Sequence, residues 1–409
     1  MKYSESFIYT QREAPKIAEC QSHKLLLRAG FLTMVSSGIY AYLPLGYRVL
    51  NNINRIIRKY MDKAGAQELF MSALQPIDIW QKTGRDKDLK DVMFTFEDRK
   101  KRKLCLGPTH EEEITEIARR FLFSHKQLPC TLYQIQTKFR DEPRPRFGLM
   151  RSCEFIMKDA YSFDRDQAGL DLSYEKMLTA YKNIFRDFGL DFVISEADSG
   201  AMGGSVSHEF MVEAAIGEDM LYRCPKENKF YKDTRICPVC KGKLKESKFV
   251  ELGHVFQLGT KYSLAQEGLF LDENGSRLPF VMGCYGIGVS RVLSAIAEVS
   301  SDKKGLIWPK QVAPYDLTLI VLADEHRISA LNIADKLNDL GISVLVDERN
   351  EAAGVKFNDA YLIGNPYIAV MGKKYSSHKS LDLEVRSNKE SKEFTAESLI
   401  SFLKDEYAG

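Results

Sequence analysis

No stretch of the 409 residues is apolar for long enough to cross a membrane, and the opening segment MKYSESFIYTQRE lacks the hydrophobic run of a secretory leader. A membrane-embedded or exported protein is therefore not expected, and a cytoplasmic one is. An excess of charge of one sign is also missing. Lys and Arg number 58 against 56 Asp and Glu, so any nucleic-acid contact has to come from a local patch. Eight cysteines are scattered along the length, which does not read as a disulfide framework. What is present is globular stock, 44% hydrophobic and 28% charged, long enough for two or three domains with their own cores.

Periodicity places the elements. Residues 1–35 read as an arm and a helix, SHKLLLRAG (22–30), stopping at Gly30. Val49, Ile53, Ile56, Ile57 and Tyr60 follow helical spacing up to a stop at Gly65, and AQELFMSALQP (66–76) reads as a strand ending at Pro76. VMFTFED (92–98) and KLCLGP (103–108) read as a hairpin with a basic tip. EEEITEIARRFLF (111–123) is an amphipathic helix whose first-turn acids suit the helix dipole. A helix over 171–190 and a strand over 191–198 follow. Beyond a hinge expected near Trp308–Pro309, strands DLTLIVL, ISVLVD and PYIAVMG alternate with helices, and LDLEVR and TAESLISFLKDEY close the chain. That alternation predicts a small α/β domain with a mostly parallel sheet. A flavodoxin-like or thioredoxin-sized unit is the competing reading, but no glycine-rich phosphate loop or cysteine pair is present there.

The chain is organised around residues 137–164, TKFRDEPRPRFGLMRSCEFIMKDAYSFD. Two strand-like runs flank a turn rich in Pro and Arg, and such a hairpin points Arg140, Glu142, Arg151 and Phe155 into one cleft. A planar guanidinium fork matches both carboxylate and phosphate, so an arginine fixed there can hold the two together. A solvated surface hairpin is the plainer alternative. Two further stretches weigh against it. GPTHEEE (107–113) puts Thr109 and Glu111 two apart, on one side of an extended segment. GCYGIGVSRVLSAIAE (283–298) is a glycine-rich turn leading into a helix with Arg291 in its first turns.

In this order and wording, with HVFQLGTKYS at 254–263, the stretches resemble motif 2, the TxE loop and motif 3 of bacterial-type prolyl-tRNA synthetases, class II aminoacyl-tRNA synthetases, over nearly the whole chain. The resemblance implies a mixed α/β and α+β protein: a class II catalytic domain on a mainly antiparallel sheet (1–309, with a cysteine-containing insert at 220–250), then an anticodon-binding domain (310–409). It implies formation of prolyl-adenylate from L-proline and ATP with Mg²⁺, then transfer to tRNA(Pro). Arg140 bridges the proline carboxylate and α-phosphate, Glu142 accepts from the adenine amino group, and Phe155 stacks on the ring. Arg151 and Arg291 take the outer phosphates, while Gln257 and Thr260 face ATP and its Mg²⁺. Thr109 and Glu111 accept from the proline ammonium, with Met157, Tyr262 and Cys284 walling the ring pocket. Arg144 and Arg146 meet the tRNA acceptor stem or form a plain solvated loop. The helix and strand around 45–76 resemble motif 1, which implies a homodimer.

Three departures stand out. The family pattern reads R-S-R-E-F where this chain has Arg151-Ser152-Cys153-Glu154-Phe155. The missing cation either braced the hairpin or held a phosphate. In YRCPKENKFYKDTRICPVCKGKLK (222–245), Cys224, Cys237 and Cys240 supply three thiols, but Glu227 stands where a fourth soft ligand would complete a zinc ribbon. A decayed ribbon or free buried thiols is the expectation, with structural zinc the alternative. Finally, the short span between Asp164 and Gly283 leaves no room for the editing domain inserted there in many relatives, so proofreading would fall to a separate protein. A synthetase for threonine or histidine is a competing reading, against which the chain lacks a His-rich zinc pocket. A silent tRNA-binding paralogue is another, favoured only by Cys153.

Overall fold

The computed structural model describes residues 1–197, 200–204, 206–227, 229–232 and 234–408. The chain divides into two compact units, one made of Ser36–Ile39 and Asn54–Ala295, the other of Met1–Val35, Tyr40–Ile53 and Ile296–Gly409. Helix α1 (Pro44–Lys63) buries Val49, Ile53, Ile56 and Ile57, as the spacing required, and Gly65 leaves it at φ +74°. The single strand expected over 66–76 is instead two short ones, β1 (Gln67–Glu68) and Leu74–Pro76. Side chains take over the backbone between them: Met71 N–H donates to Gln134 Oε1 (3.0 Å) and Ser72 N–H to Glu113 Oε1 (3.0 Å).

Helix α2 (Glu111–Phe121) precedes the central hairpin of β2 (Cys130–Phe139) and β3 (Glu154–Asp164). Then come α3 (Gln167–Asp187), β4 (Phe192–Glu196), β5 (Val206–Glu213), β6 (Asp219–Arg223), β7 (Phe230–Tyr231), β8 (Lys245–Gly259), β9 (Val281–Gly288) and helix α4 (Val289–Val299). Asp198, the last residue of the strand expected over 191–198, lies outside the described residues. The nine strands form one sheet in the order β7-β6-β8-β9-β3-β2-β1, with β5 also on β8 and β4 on β5. Only β1–β2 is parallel, so the sheet is mainly antiparallel. The glycine-rich run at 283–288 is not a turn. It lies within β9, laddered on both sides by β8 and β3, and a Cβ at Gly283 would collide with the Tyr285 hydroxyl.

Alternation along β3 decides what faces where. Phe155, Met157, Asp159 and Tyr161 lie on the face that carries a cavity. Lys158 lies on the other, under α3, where Tyr181, Phe185 and Phe210 pack together. Lys158 is fully buried, donating to the Tyr181 hydroxyl (2.7 Å) and the Tyr285 carbonyl (3.1 Å).

In the other unit, β10 (Leu317–Val321), β11 (Val344–Asp347), β12 (Tyr367–Met371), β13 (Ser380–Val385) and β14 (Ser391–Thr395) run in the order β11-β10-β12-β13-β14. Its sheet is half antiparallel rather than mostly parallel. The link from β12 to β13 holds only a short helix, Lys373–His378, and parallel pairing needs a crossover of a dozen or more residues. The first residues of the chain lie along β11: Met1 N donates to Val344 O (2.9 Å), and the Tyr3 ring lies 3.5 Å under the Arg349 guanidinium.

Burial pushes the Lys158 ammonium down to about 7 from its ordinary 10.5. The unfolded chain therefore binds the extra proton between those values, and stability must fall as pH drops from about 10 to about 7. Lys158→Met is expected to flatten this slope and to be at least as stable near neutrality. Denaturant midpoints of both proteins at the two pH values measure it; parallel slopes would contradict the assignment.

Candidate active site

The cavity on the β3 face has a volume of about 390 Å³ and carries opposite charge at its two ends. At one end Arg85 is 1% exposed, with Nη1 at 3.1 Å from Glu111 Oε2 and 3.0 Å from Glu112 Oε2. Burial works against the Arg85 cation, but the two glutamates outweigh it and hold its pKa above the ordinary value. Burial also pushes the Glu112 carboxyl up to about 7, against the pull of Arg85. One guanidinium facing two carboxyl groups leaves this end able to accept a further cation.

Thr109 and Glu111 do meet here, though not on an extended segment. Glu111 opens α2, and Thr109 Oγ1 reaches across the helix start to donate to Glu111 Oε2 (2.7 Å). A buried network fixes the loop. Lys138 Nζ is 2.8 Å from Asp159 Oδ1 and donates to His110 Nδ1 (2.7 Å), while His110 Nε2–H donates to Ser72 O (2.9 Å). Burial first and Lys138 second lower the pKa of His110, and this neutral tautomer satisfies both contacts. Gln134 and Tyr161 donate to the other Asp159 oxygen.

At the other end, Arg140 follows directly on β2, its N–H bonded to Cys153 O (2.8 Å) and its guanidinium 5.1 Å from the Phe155 ring centre. Among the described residues no carboxylate lies within ion-pair distance of it. Burial first, and the Arg291 cation second, lower its pKa. Arg291 is oriented by Met150 O (3.1 Å) and Glu251 O (2.8 Å). Arg151 donates to Glu142 (2.9 Å) and Glu218 (3.2 Å). Among the expected residues, Thr109, Glu111, Arg140, Glu142, Arg151, Phe155, Met157, Cys284 and Arg291 all line this one cavity.

Others are elsewhere. Gln257 bonds Asp171 (2.9 Å) and Gln167 (3.1 Å) at α3, and Thr260 precedes the short helix Lys261–Ala265; neither lines the cavity. Glu251, His254 and Phe256, which sequence reading did not single out, line the cavity. The cause is a β-bulge: Phe210 pairs with Gly253 but Met211 with Glu251, so Glu251 and His254, three apart, reach the same wall. His254 stacks on Phe256 (3.7 Å) and its Nδ1 lies 3.1 Å from Glu251 Oε1. Tyr262 stands behind the wall, its hydroxyl on Met202 O (3.1 Å) and its ring 5.3 Å from the Arg85 guanidinium. Arg85 was missed too, because nothing local marks one arginine in GRDKD as buried.

Arg146 pairs with Glu218 (2.7 Å), while Arg144 is exposed. Cys153 turns away from the cavity. A Cβ at Gly38 would lie 2.9 Å from its Sγ, and its N–H donates to Gly38 O (2.8 Å). Cys224, Cys237 and Cys240 come together, away from the cavity, without Glu227.

Two family models match, "tRNA synthetase class II core domain (G, H, P, S and T)" over residues 94–300 and "Anticodon binding domain" over 316–406. Fold and cavity together thus define a class II tRNA synthetase. Among relatives, the proline–tRNA ligase of Ehrlichia canis (strain Jake) is 41% identical over 411 residues, spanning 95% of this chain and 96% of its own. That of Caldicellulosiruptor bescii is 37% identical over 557 positions, spanning 98% and 97%. The chain belongs to the proline–tRNA ligase, or prolyl-tRNA synthetase, family, in its short form. Among solved structures, a Giardia lamblia prolyl-tRNA synthetase in complex with prolyl-adenylate shares the fold, with TM-score 0.79 over 93% of this chain and 74% of that one at 18% identity. So does the Cryptosporidium parvum enzyme complexed with halofuginone and AMPPNP, with TM-score 0.79 over 94% and 77% at 18% identity.

Arg85→Met leaves two buried carboxyl groups without their cation. A loss of about 3–5 kcal/mol is expected, as for breaking other buried ion pairs. Adding Glu112→Gln should recover part of it. Urea denaturation of the single and double variants measures both, and a neutral Arg85→Met would contradict the pairing.

Proposed function

We propose that the chain activates L-proline with ATP and transfers the prolyl group to tRNA(Pro). The observation that carries this reading is the polarity of the cavity: two carboxyl groups to one guanidinium at one end, and at the other a half-buried Arg140 with no carboxylate in ion-pair distance among the described residues, beside Arg291. An amino acid and a triphosphate laid end to end present the complementary charges. The G. lamblia neighbour of the same fold, solved in complex with prolyl-adenylate, supports the reading.

Thr109 and Glu111 receive the secondary ammonium of proline, and Met157 and Cys284 wall its ring, with Tyr262 bracing Arg85 behind them. Arg140 bridges the proline carboxylate and the α-phosphate. In the first step a carboxylate oxygen attacks the α-phosphorus and pyrophosphate leaves. No protein nucleophile is needed, so the rate must come from alignment and charge stabilisation. Phe155 stacks on adenine, Glu142 accepts from its amino group, and Arg151 and Arg291 hold the outer phosphates. Mg²⁺, when bound, neutralises the phosphates. Glu251, an oxygen donor on the cavity wall beside Arg291, fits a cation that binds through few carboxylates plus phosphate.

On this reading residues 1–309 carry catalysis, with the cysteine stretch 220–250 as an insert, and 310–409 the anticodon contact. Arg144 and Arg146 face the acceptor stem. A homodimer is proposed from the resemblance around 45–76, supported by the exposure of Phe70, Leu74 and Phe96. No helix among the described residues is long and apolar enough to cross a membrane, and the cytoplasm is the proposed location.

ATP–pyrophosphate exchange, run with each amino acid in turn, is expected to respond to proline above all. Exchange driven best by threonine or histidine, or none at all, would sink the reading. Arg140→Lys keeps a charge but loses the fork, and exchange should fall on the order of 100-fold or more in a folded protein. A loss below tenfold would show that Arg140 has another role.

Alanine lacks ring carbons of proline, and a pocket discriminates a missing methylene by only ~1–3 kcal/mol. Measurable alanine activation is therefore expected, and cysteine activation too. No hydrolysis of preformed alanyl-tRNA(Pro) is expected, since the alignment to the C. bescii relative needs 557 positions for this 409-residue chain. Ester loss faster than in buffer would reveal an editing site, and would remove the need for a separate proofreading protein.

A further inference from the structure

The thiols of Cys224, Cys237 and Cys240 have no part in the chemistry above, yet their sulfurs all lie within 4.8 Å of one another. Cys224 and Cys240 are 3.5 Å apart, sulfur to sulfur. The three come from two separate segments, Cys224 directly after β6 and the others on a turn ahead of β8. That turn is built for sulfur. Cys240 N–H points at Cys237 Sγ (3.4 Å), Cys237 N–H closes the turn on Gly242 O (2.9 Å), and Lys241 takes a left-handed φ of +55° to allow it. Cys224 and Cys237 are fully buried, with Tyr222, Tyr231 and Leu244 packed around them.

A decayed ribbon would have no reason to keep this convergence, and three neutral thiols gain little from it. Thiolates gain from a donor N–H, but three of them side by side repel unless a cation lies between. We propose that Cys224, Cys237 and Cys240 hold one zinc ion as thiolates, with water in the fourth tetrahedral position. Soft sulfur donors select zinc over the hard cations used with ATP. Glu227, which stands in the sequence where a fourth soft ligand would complete a ribbon, is not in the group. Loading the ion onto neutral thiols releases a proton from each ligand to solvent, and no redox step is involved.

The ion would clamp the base of a module that touches the cavity at two points. Glu218, just before β6, holds Arg146 (2.7 Å) and Arg151 (3.2 Å). Lys232, just after β7, holds Glu209 (2.7 Å), whose carboxylate lies 3.8 Å from His254 on the cavity wall. Zinc therefore acts on ATP binding through position, a consequence that rests on the activity proposed above.

The full chain, purified without added metal or chelator, is expected to contain one zinc per chain by elemental analysis. Cobalt exchanged into the site should give a thiolate-to-metal charge-transfer band with intense tetrahedral visible bands, absent in Cys237→Ser. Chelated protein should show a several-fold higher ATP KM in pyrophosphate exchange with kcat nearly unchanged. Zinc well below one per chain after reduction and reloading overturns the proposal, as does a Cys224–Cys240 disulfide in protein kept under reducing conditions. The wild-type cobalt spectrum decides the matter even if the serine variant fails to fold. It also decides it if the chain shows no exchange activity, so failure of the metal site and failure of the functional reading are told apart.

Discussion

Arg140 is a half-buried cation beside another cation, and much of the surrounding unit can be understood as what holds it there. Burial first and Arg291 second disfavour its charge, against the weaker pull of Glu251, Glu142 and Glu111. Its backbone is pinned to Cys153 O, its side chain lies over Phe155, and Arg291 is tied to two carbonyls rather than free to withdraw. An unneutralised cation in a cleft of low dielectric attracts an anion far more strongly than one in water. The same desolvation that costs the free protein stability leaves this end of the cavity receptive to an anion.

The opposite end is arranged by the reverse logic. Arg85 Nη1 is shared by Glu111 and Glu112, and Arg85 and Glu111 both line the cavity. Between the two ends, Lys138, His110 and Asp159 form a buried floor that ties β2 and β3 to the loop carrying Thr109. Replacing such a network with apolar groups is often neutral for stability, whereas removing one partner is not. Its value here is geometric: it sets the distance between the end of the cavity that holds Glu111 and the end that holds Arg140.

Cys153 shows how position decides the meaning of a departure from a family pattern. A cation lost from the cavity would weaken nucleotide binding. At 153 the side chain faces Gly38, so a sulfur there alters only how the hairpin rests on the neighbouring loop. The short span between β3 and β9 is a departure of another kind. It brings the thiol module up against the catalytic sheet, where Glu218 and Lys232 reach the walls of the site.

The hairpin, its arginines, α2 and the alternating C-terminal elements were legible in the sequence, because their signals are local: helical and two-residue periods, glycine stops, and a motif read in order. Side chains on β3 reach the cavity through alternation alone, so Phe155 and Met157 were legible as well. Two things were not. Glu251 and His254 share a wall only through a bulge whose register depends on β5, a strand far away in sequence. Arg85 is buried by partners on α2, and no feature of its own segment records that. Cys224, Cys237 and Cys240 were legible as a candidate set, but that the three meet depends on β6 and β8 pairing side by side. Local periodicity follows from backbone geometry, which each short segment carries within itself. Which strand lies beside which, and therefore which charges meet, is settled only when distant segments compete for the same hydrogen bonds and the same buried volume.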